Sequence, residues 1–309
     1  MRRGPSPINA LFALDKPTGM TSHDVVSRVR RVLGTSRVGH AGTLDPAASG
    51  VLVIGVGQAT KLLGLLTLDR KQYRATFSLG VQTTTDDAEG DSIQTAPVSP
   101  ELLSYPKASE EVKGLIGEQD QVPPAYSAVS VGGKRAYAVA RAGQQIELPS
   151  RHIQIFDAKL VDIDPEQATW TLDLDVSKGT YIRSIARDLG QKLGCFAHVT
   201  NLRRLTSGSI SLKDCLTLAE LEADGLAAIR AHLLDPVKAL ELFSYELADN
   251  ECKPVMHGRP FVPQFKQGYS NNTKIALTYK GGLAGIWRYD GTYVRCDVNF
   301  PQAIEGVCV

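Results

Sequence analysis

The sequence predicts an α+β chain that ends in a small all-β module. Two segments, Gln72 to Leu79 and Trp170 to Val176, alternate apolar and polar residues, as strands with one buried face do. Two others, Ser22 to Leu33 and Ile182 to Leu193, repeat apolar residues at helical spacing. From Glu251 to Val309 the chain breaks into short strand-like runs, split by Gly281-Gly282 and Asp290-Gly291. Asp-Gly between such runs is a strong hairpin signal.

In order, Ala10 to Leu14 reads as a short strand and Lys16-Pro17-Thr18-Gly19 as a turn. Ser22 is the expected N-cap of the first helix, with Asp24 in its first turn. Val25, Val26, Val29, Val32 and Leu33 form its buried face, Arg28, Arg30 and Arg31 point away, and Gly34 ends it. Next comes Gly39-His40-Ala41-Gly42-Thr43-Leu44-Asp45-Pro46, with little bulk to pack, one imidazole and one carboxylate. Pro46 biases Asp45 away from helical angles. Asp45 thus sits on a loop between the helix and the apolar run Val51 to Val56, a common setting for catalytic groups. On spacing alone it reads first as a turn aspartate bonding its own backbone.

Val51 to Val56 reads as a strand buried on both faces. Gly55-Val56-Gly57-Gln58-Ala59-Thr60-Lys61, ahead of a helix over Ala59 to Leu68, imitates a nucleotide-binding turn. It lacks the third glycine of a dinucleotide fingerprint and the ending of a P-loop, so a nucleotide site is rejected. In the strand Gln72 to Leu79, Tyr73 shares the apolar face with Ala75, Phe77 and Leu79, and is either core or half core and half site. Thr83 to Gly90 reads as a polar loop, Pro100 to Ile116 as an acidic amphipathic helix, and Pro123 to Ala128 as an extended opening. Ser130 to Pro149, with a short helix near Ala136 to Ala142, is expected to be a mobile basic excursion.

Lys178-Gly179-Thr180 turns the chain into the helix from Ile182 to Gly194. Arg183 stands in its first turn, where a cation opposes the helix dipole; a buried anion would explain it. Ala197 to Leu212 reads as a pair of strands, Thr217 to Ala231 as a helix, and Asp235 to Asn250 as a connector.

The 309 residues, 43% hydrophobic and 22% charged, suit a globular protein able to bury a real core. No apolar run is long enough for a bilayer, so no membrane is expected. The start imitates a signal peptide, but its apolar part is short and runs into Asp15-Lys16. Five scattered cysteines without C-x-x-C fit reduced thiols in a cytoplasm. Scattered histidines and the lack of H-E-x-x-H predict no metal.

Net charge is +1, yet its distribution is uneven. Residues 1–45 carry Arg2, Arg3, Lys16, Arg28, Arg30, Arg31 and Arg37 against Asp15, Asp24 and Asp45. Residues 178–204 carry Lys178, Arg183, Arg187, Lys192, Arg203 and Arg204 against Asp188 alone. Residues 86–120 hold nine acids against Lys107 and Lys113. This pattern suits a polyanionic partner, with ordinary solvated surface as the alternative.

Five stretches, in order, resemble the bacterial TruB-type tRNA pseudouridine synthases. They are Leu14 to Ser22 (Leu-Asp-Lys-Pro-Thr-Gly-Met-Thr-Ser), Gly39 to Pro46, Tyr73-Arg74, Pro123 to Ala128, and Ser177-Lys178-Gly179-Thr180-Tyr181-Ile182-Arg183. The resemblance covers essentially the whole chain. It implies a pseudouridine-synthase fold: a mixed, mostly antiparallel sheet with flanking helices, and a C-terminal PUA-like RNA-binding domain. The expected division is a catalytic domain over 1–242, with a mobile insertion about 124–151, and the PUA-like domain over 243–309. The implied reaction turns uridine-55 in the T-arm of tRNA into pseudouridine. The resemblance makes Asp45 the nucleophile, paired with Arg183, and Tyr73 the ring stacked on the target base. It places Tyr181 and Leu202 around the pocket, and His40 in the space vacated by the flipped nucleotide. The expected partner is tRNA, through its T-arm stem-loop, bound by a monomer with no nucleotide cofactor. One departure is Ser130, where the family usually has a lysine; Lys134 and Arg135 stand nearby.

The chemistry agrees with these residue types. The uracil must leave C1′ through N1, rotate and return through C5, so it must first be extruded from its stack. Extruded bases stack on aromatic rings. An attacking carboxylate must be charged, and a neighbouring guanidinium favours that form. A glycosidase would need a second carboxylate as general acid, and none is evident in that role in these motifs. A non-catalytic RNA-binding or RNA-folding relative would keep the cations and lose Asp45, which is present.

Overall fold

The computed structural model describes residues 6–66, 70–127, 130–131, 134–136, 139, 148–265 and 268–308. Strand β1, Ala10–Lys16, extends two residues past its expected end. Helix α1, Ser22–Leu33, closes on Gly34 at φ 63°, a left-handed geometry that glycine takes without strain. Its N-cap is Thr21, not Ser22. Thr21 Oγ1 accepts the Asp24 N–H at 3.1 Å, and the Asp24 carboxylate takes the Thr21 N–H at 2.9 Å. This reciprocal box needs a three-residue spacing, which Thr21 has and Ser22 lacks. Arg28 and Arg31 are exposed as expected, but Arg30 folds back and donates to the Val38 carbonyl at 3.0 Å.

Gly39 to Ala41 are strand where a loop was expected: β2, Val38–Ala41, pairs antiparallel with β3, Ser49–Val56. The helix expected next is a 3₁₀ stretch, Gly57–Leu62, running into α2, Leu63–Leu66; its expected last residues, 67 and 68, lie outside the described ones. Strand β4 is Lys71–Leu79, and β5, Val81–Thr83, pairs with β6, Ser92–Thr95. The helix expected from Pro100 to Ile116 is broken into a 3₁₀ turn, Pro100–Leu103, and α3, Tyr105–Lys113. An unbroken helix would drive the Pro106 ring into the Leu102 carbonyl. That carbonyl instead accepts the Trp170 indole N–H at 2.9 Å.

Strand β7 is Gly117–Gln121; β8, Ser130–Val131, and β9, Lys134–Arg135, pair with each other. The helix expected near residues 136–142 and most of the expected excursion fall outside the described residues. Strands β10, Arg151–Asp164, and β11, Thr169–Val176, precede α4, Ile182–Lys192. The expected strand pair is one long strand, β12, Ala197–Ser207, and a short β13, Ile210–Ser211. After β14, Cys215–Thr217, come α5, Leu218–Asp224, and α6, Leu226–Ala231. They were expected as one helix; Gly225, at φ 56° and ψ −121°, divides them. The connector holds α7, Pro236–Ala239, and β15, Phe243–Glu246. Helix α8, Asp249–Met256, precedes β16, Lys274–Tyr279, β17, Gly282–Tyr289, and β18, Val294–Glu305.

The chain forms two compact units. One is Met1–Pro46, Gly50–Leu68 and Ser207–Val309; the other is Ala47–Ser49 and Asp69–Thr206. In the first, the strand path is β15-β16-β17-β18-β1-β3, with β14 beside β1 and β2 beside β3. Pairing is mixed: β14 and β18 run parallel to β1, and β3 antiparallel. Strand β1 is buried on both faces. Ala10, Phe12 and Leu14 pack with Val25, Val26 and Val29 of α1. Leu11 and Ala13 pack with Ile286, Phe300 and Ile304. In the second unit the path is β12-β4-β11-β10-β7. Tyr73, Ala75, Phe77 and Leu79 of β4 and Trp170, Leu172, Leu174 and Val176 of β11 are buried, the side predicted by their alternation.

Candidate active site

Asp45 lies in the first unit, half-buried on the irregular stretch between β2 and β3. Both of its chain neighbours are tied to the segment Lys16 to Ser22. Ser22 Oγ accepts the Leu44 N–H at 2.9 Å and donates to the Leu44 carbonyl at 3.1 Å. The Lys16 side chain is fully buried, and its Nζ donates to the carbonyls of Met20 at 2.7 Å, Pro17 at 2.8 Å and Pro46 at 3.3 Å. Carbonyl oxygens are what make a buried ammonium tolerable. The Gly19 N–H adds a bond to the Pro46 carbonyl at 2.9 Å. His40 is half-buried on β2, opposite Ile54 of β3.

Tyr73, Tyr181, Arg183 and Leu202 lie in the second unit. Tyr73, 7% exposed, faces inward from β4 opposite Leu174. Its neighbour Arg74 faces out and grips Asp173 with two bonds, 2.8 and 2.7 Å. Leu202 is half-buried on β12, and Tyr181 is the half-buried N-cap of α4. Gln121 holds the Tyr181 backbone, accepting its N–H at 2.8 Å and donating to its carbonyl at 3.1 Å.

The misplaced cation of α4 does have a buried anion. Arg183 Nη1 stands 3.3 Å from Asp87 Oδ2, the two side chains being 6% and 11% exposed. The same Nη1 donates to the Thr85 carbonyl at 2.8 Å, and Nη2 to the Tyr126 carbonyl at 3.0 Å. One turn on, Arg187 pairs with Asp86 at 3.1 Å and Asp188 at 2.8 Å. Burial pushes the Asp86 carboxyl up, against the pull of the Arg187 and Arg183 guanidiniums. The segment read as a polar loop is a turn with exposed Thr84, Ala88 and Glu89 but buried Asp86 and Asp87, Asp86 itself at φ 59°.

One other expectation changes. Lys16, Arg183 and Arg204 are 0%, 5% and 1% exposed, so part of the expected basic face is interior. The glycine turn that imitates a nucleotide site is packed on its own chain. The Gln58 N–H donates to Asn9 Oδ1 at 2.8 Å, and a Cβ on Gly57 would lie 2.2 Å from that oxygen and 2.8 Å from the Ile8 carbonyl. The side chains of Ser130, Lys134 and Arg135 lie outside the description.

Residues 30–182 match the TruB family pseudouridylate synthase (N terminal domain), and residues 183–240 the tRNA pseudouridylate synthase B C-terminal domain. A tRNA pseudouridine synthase B of Mycobacterium sp. (strain KMS) is 46% identical over 255 residues, covering 82% of this chain and 84% of its own. The chain belongs to the TruB family. It is thus a pseudouridylate synthase, an isomerase. Another TruB relative, tRNA pseudouridine synthase B of Leifsonia xyli subsp. xyli (strain CTCB07), is 40% identical over 298 residues, 95% of this chain and 97% of its own. A chain of the solved structure of a Cbf5-Nop10-Gar1 complex shares the fold, with TM-score 0.68 at 25% identity over 96% of this chain and 89% of that one. Among the described residues of this TruB chain, no helix is long and apolar enough to cross a membrane.

The sequence reading missed Asp86, Asp87, Ser22 and Gln121. A signal existed for Asp87. Arg183 has no acid within four residues of it on either side, so this cation needed an anion from elsewhere in the chain.

Proposed function

We propose that this enzyme converts uridine-55 in the T-arm of tRNA to pseudouridine, with Asp45 as nucleophile. What carries the reading is that Asp45 lies inside the matched TruB segment, half-buried on a loop whose neighbouring residues are both held by buried side chains. Such pinning is what a reacting carboxylate requires. The uracil is flipped out of its stack and rests on the Tyr73 ring, with Tyr181 and Leu202 beside it. His40 takes the vacated place in the RNA. Asp45 attacks, the N1 bond to C1′ opens, the base turns and rejoins through C5, C5 loses its proton as N1 gains one, and Asp45 is released. In this reading Arg183 supplies the positive charge beside the reacting carboxylate.

The names of the relatives support tRNA as substrate. Exposed cations such as Arg31, Arg37 and Lys178 are the proposed phosphate contacts, and residues 243–309 the PUA-like RNA-binding module. The protein acts as a cytoplasmic monomer without metal or nucleotide cofactor. The test is to incubate it with unmodified tRNA and map new pseudouridine. A product at position 55 that vanishes in Asp45→Asn is expected; product elsewhere, or none, refutes the reading. Tyr73→Phe should keep tRNA binding far better than Tyr73→Ala, and equal losses would argue against stacking. Affinity should fall steeply with salt.

A further inference from the structure

Gln121 is the last residue of β7, and its backbone is in register with Arg151 of β10. Its side chain is 3% exposed. The amide takes the Tyr181 N–H and gives a hydrogen to the Tyr181 carbonyl. One side chain thus imitates the paired bonds that a neighbouring strand would make. Tyr181 has need of them. It stands at φ −103° and ψ 112° as the N-cap of α4, with no cap bond from its own side chain. The seam continues at Val122, whose carbonyl accepts Ser184 Oγ at 2.9 Å and Arg187 Nη2 at 2.8 Å. Residues 121 and 122 therefore hold the first turns of α4, from which Tyr181 and Arg183 project.

We infer that Gln121 is a positioning residue for the isomerisation. Its amide sets the Tyr181 backbone and, through the start of α4, the placement of the Arg183 guanidinium, without touching the RNA. This rests on the reading of Tyr181 and Arg183 as site residues. The guanidinium contacts named above come from Thr85, Asp87 and Tyr126, so Gln121 acts through the main chain. Removing its amide orphans a donor and an acceptor at the helix start. Displacements of about 1 Å at a reacting group cost about 100-fold in rate.

In Gln121→Ala, kcat per folded molecule should fall about 10- to 100-fold while KM for tRNA stays within about twofold. A structural role alone would lower Tm and leave kcat per folded molecule unchanged. Gln121→Glu keeps the shape and decides the matter if Gln121→Ala does not fold. Its carboxylate accepts the Tyr181 N–H but repels the Tyr181 carbonyl; once protonated it donates again. Its kcat relative to the parent enzyme should therefore rise as pH falls from about 8 to about 5.5, since burial raises a carboxyl pKa. A ratio constant with pH, or a raised KM at unchanged kcat, overturns the inference. Arg183→Gln in the same assay separates the two failures. If it retains turnover, the reading of the site is wrong. If it loses turnover while both Gln121 variants keep theirs, only the role of Gln121 is wrong.

Discussion

Around Asp45 the fixing groups are a hydroxyl and a buried ammonium, and their partners are backbone atoms of Leu44 and Pro46. Around Arg183 they are other charges: Asp87 on Arg183, and Asp86 and Asp188 on Arg187. The first arrangement immobilises a carboxylate's neighbours through their backbone atoms. The second immobilises a guanidinium by surrounding it with acceptors, two of them main-chain carbonyls. The carboxylate proposed as nucleophile is thus held through the backbone on either side of it, and the cation proposed to act on it is gripped directly.

The sharpest break would come from Asp45→Asn. Turnover should fall at least about 1000-fold, ~4 kcal/mol of barrier, with Tm moving by no more than about 2 °C. Retained turnover would remove the chemical half of the contrast. Asp87→Asn should act on stability, because it leaves Arg183 buried with a weaker partner. Urea unfolding should record a loss of about 3 kcal/mol; a loss below about 1 kcal/mol would mean that the carbonyls alone hold the guanidinium. Ser22→Ala leaves the Leu44 N–H unsatisfied, at a cost of about 1–3 kcal/mol. That loss should be equal at pH 5 and pH 8, since no group titrating there is removed.

The smallest effect is in pH dependence. Asp86 has its carboxyl raised by burial above the ordinary 3.8. Its contribution to stability is therefore fully present below that value and is lost as pH rises through the folded value. Asp86→Asn does not titrate there, so its stability should decline less between pH 4 and pH 7. A slope equal to the parent's would show that Arg187 and Arg183 fully offset the burial.

The elements legible in the sequence were those whose evidence is local. Strands β3, β4 and β11 and helices α1 and α4 each carry their own period, and each ended within a residue or two of expectation. The breaks at Ser104 and Gly225 were harder, because an acidic or apolar periodicity continues across them. Strand β2 and the parallel partner of β16 were invisible for another reason: what makes Val38–Ala41 and Phe243–Glu246 strands is a neighbour elsewhere in the chain. The site divides in the same way. Asp45, Tyr73 and Arg183 stand out within their own motifs. Asp87, Gln121 and Ser22 take their meaning from groups that pair with them across 96, 60 and 22 residues, and nothing in their own surroundings announces it.

Tyr73 and Arg74 are adjacent on β4 and face opposite ways, the ring inward and the guanidinium onto Asp173. Arg70 and Gln72 both reach Asp175, two residues further along β11. These outer ion pairs work as a key against frame slippage: a shift of one residue would turn an arginine into the interior and the aromatic ring out to water. Loss of a single codon between Lys71 and Tyr73 would thus be far more damaging than any one substitution on that outer face.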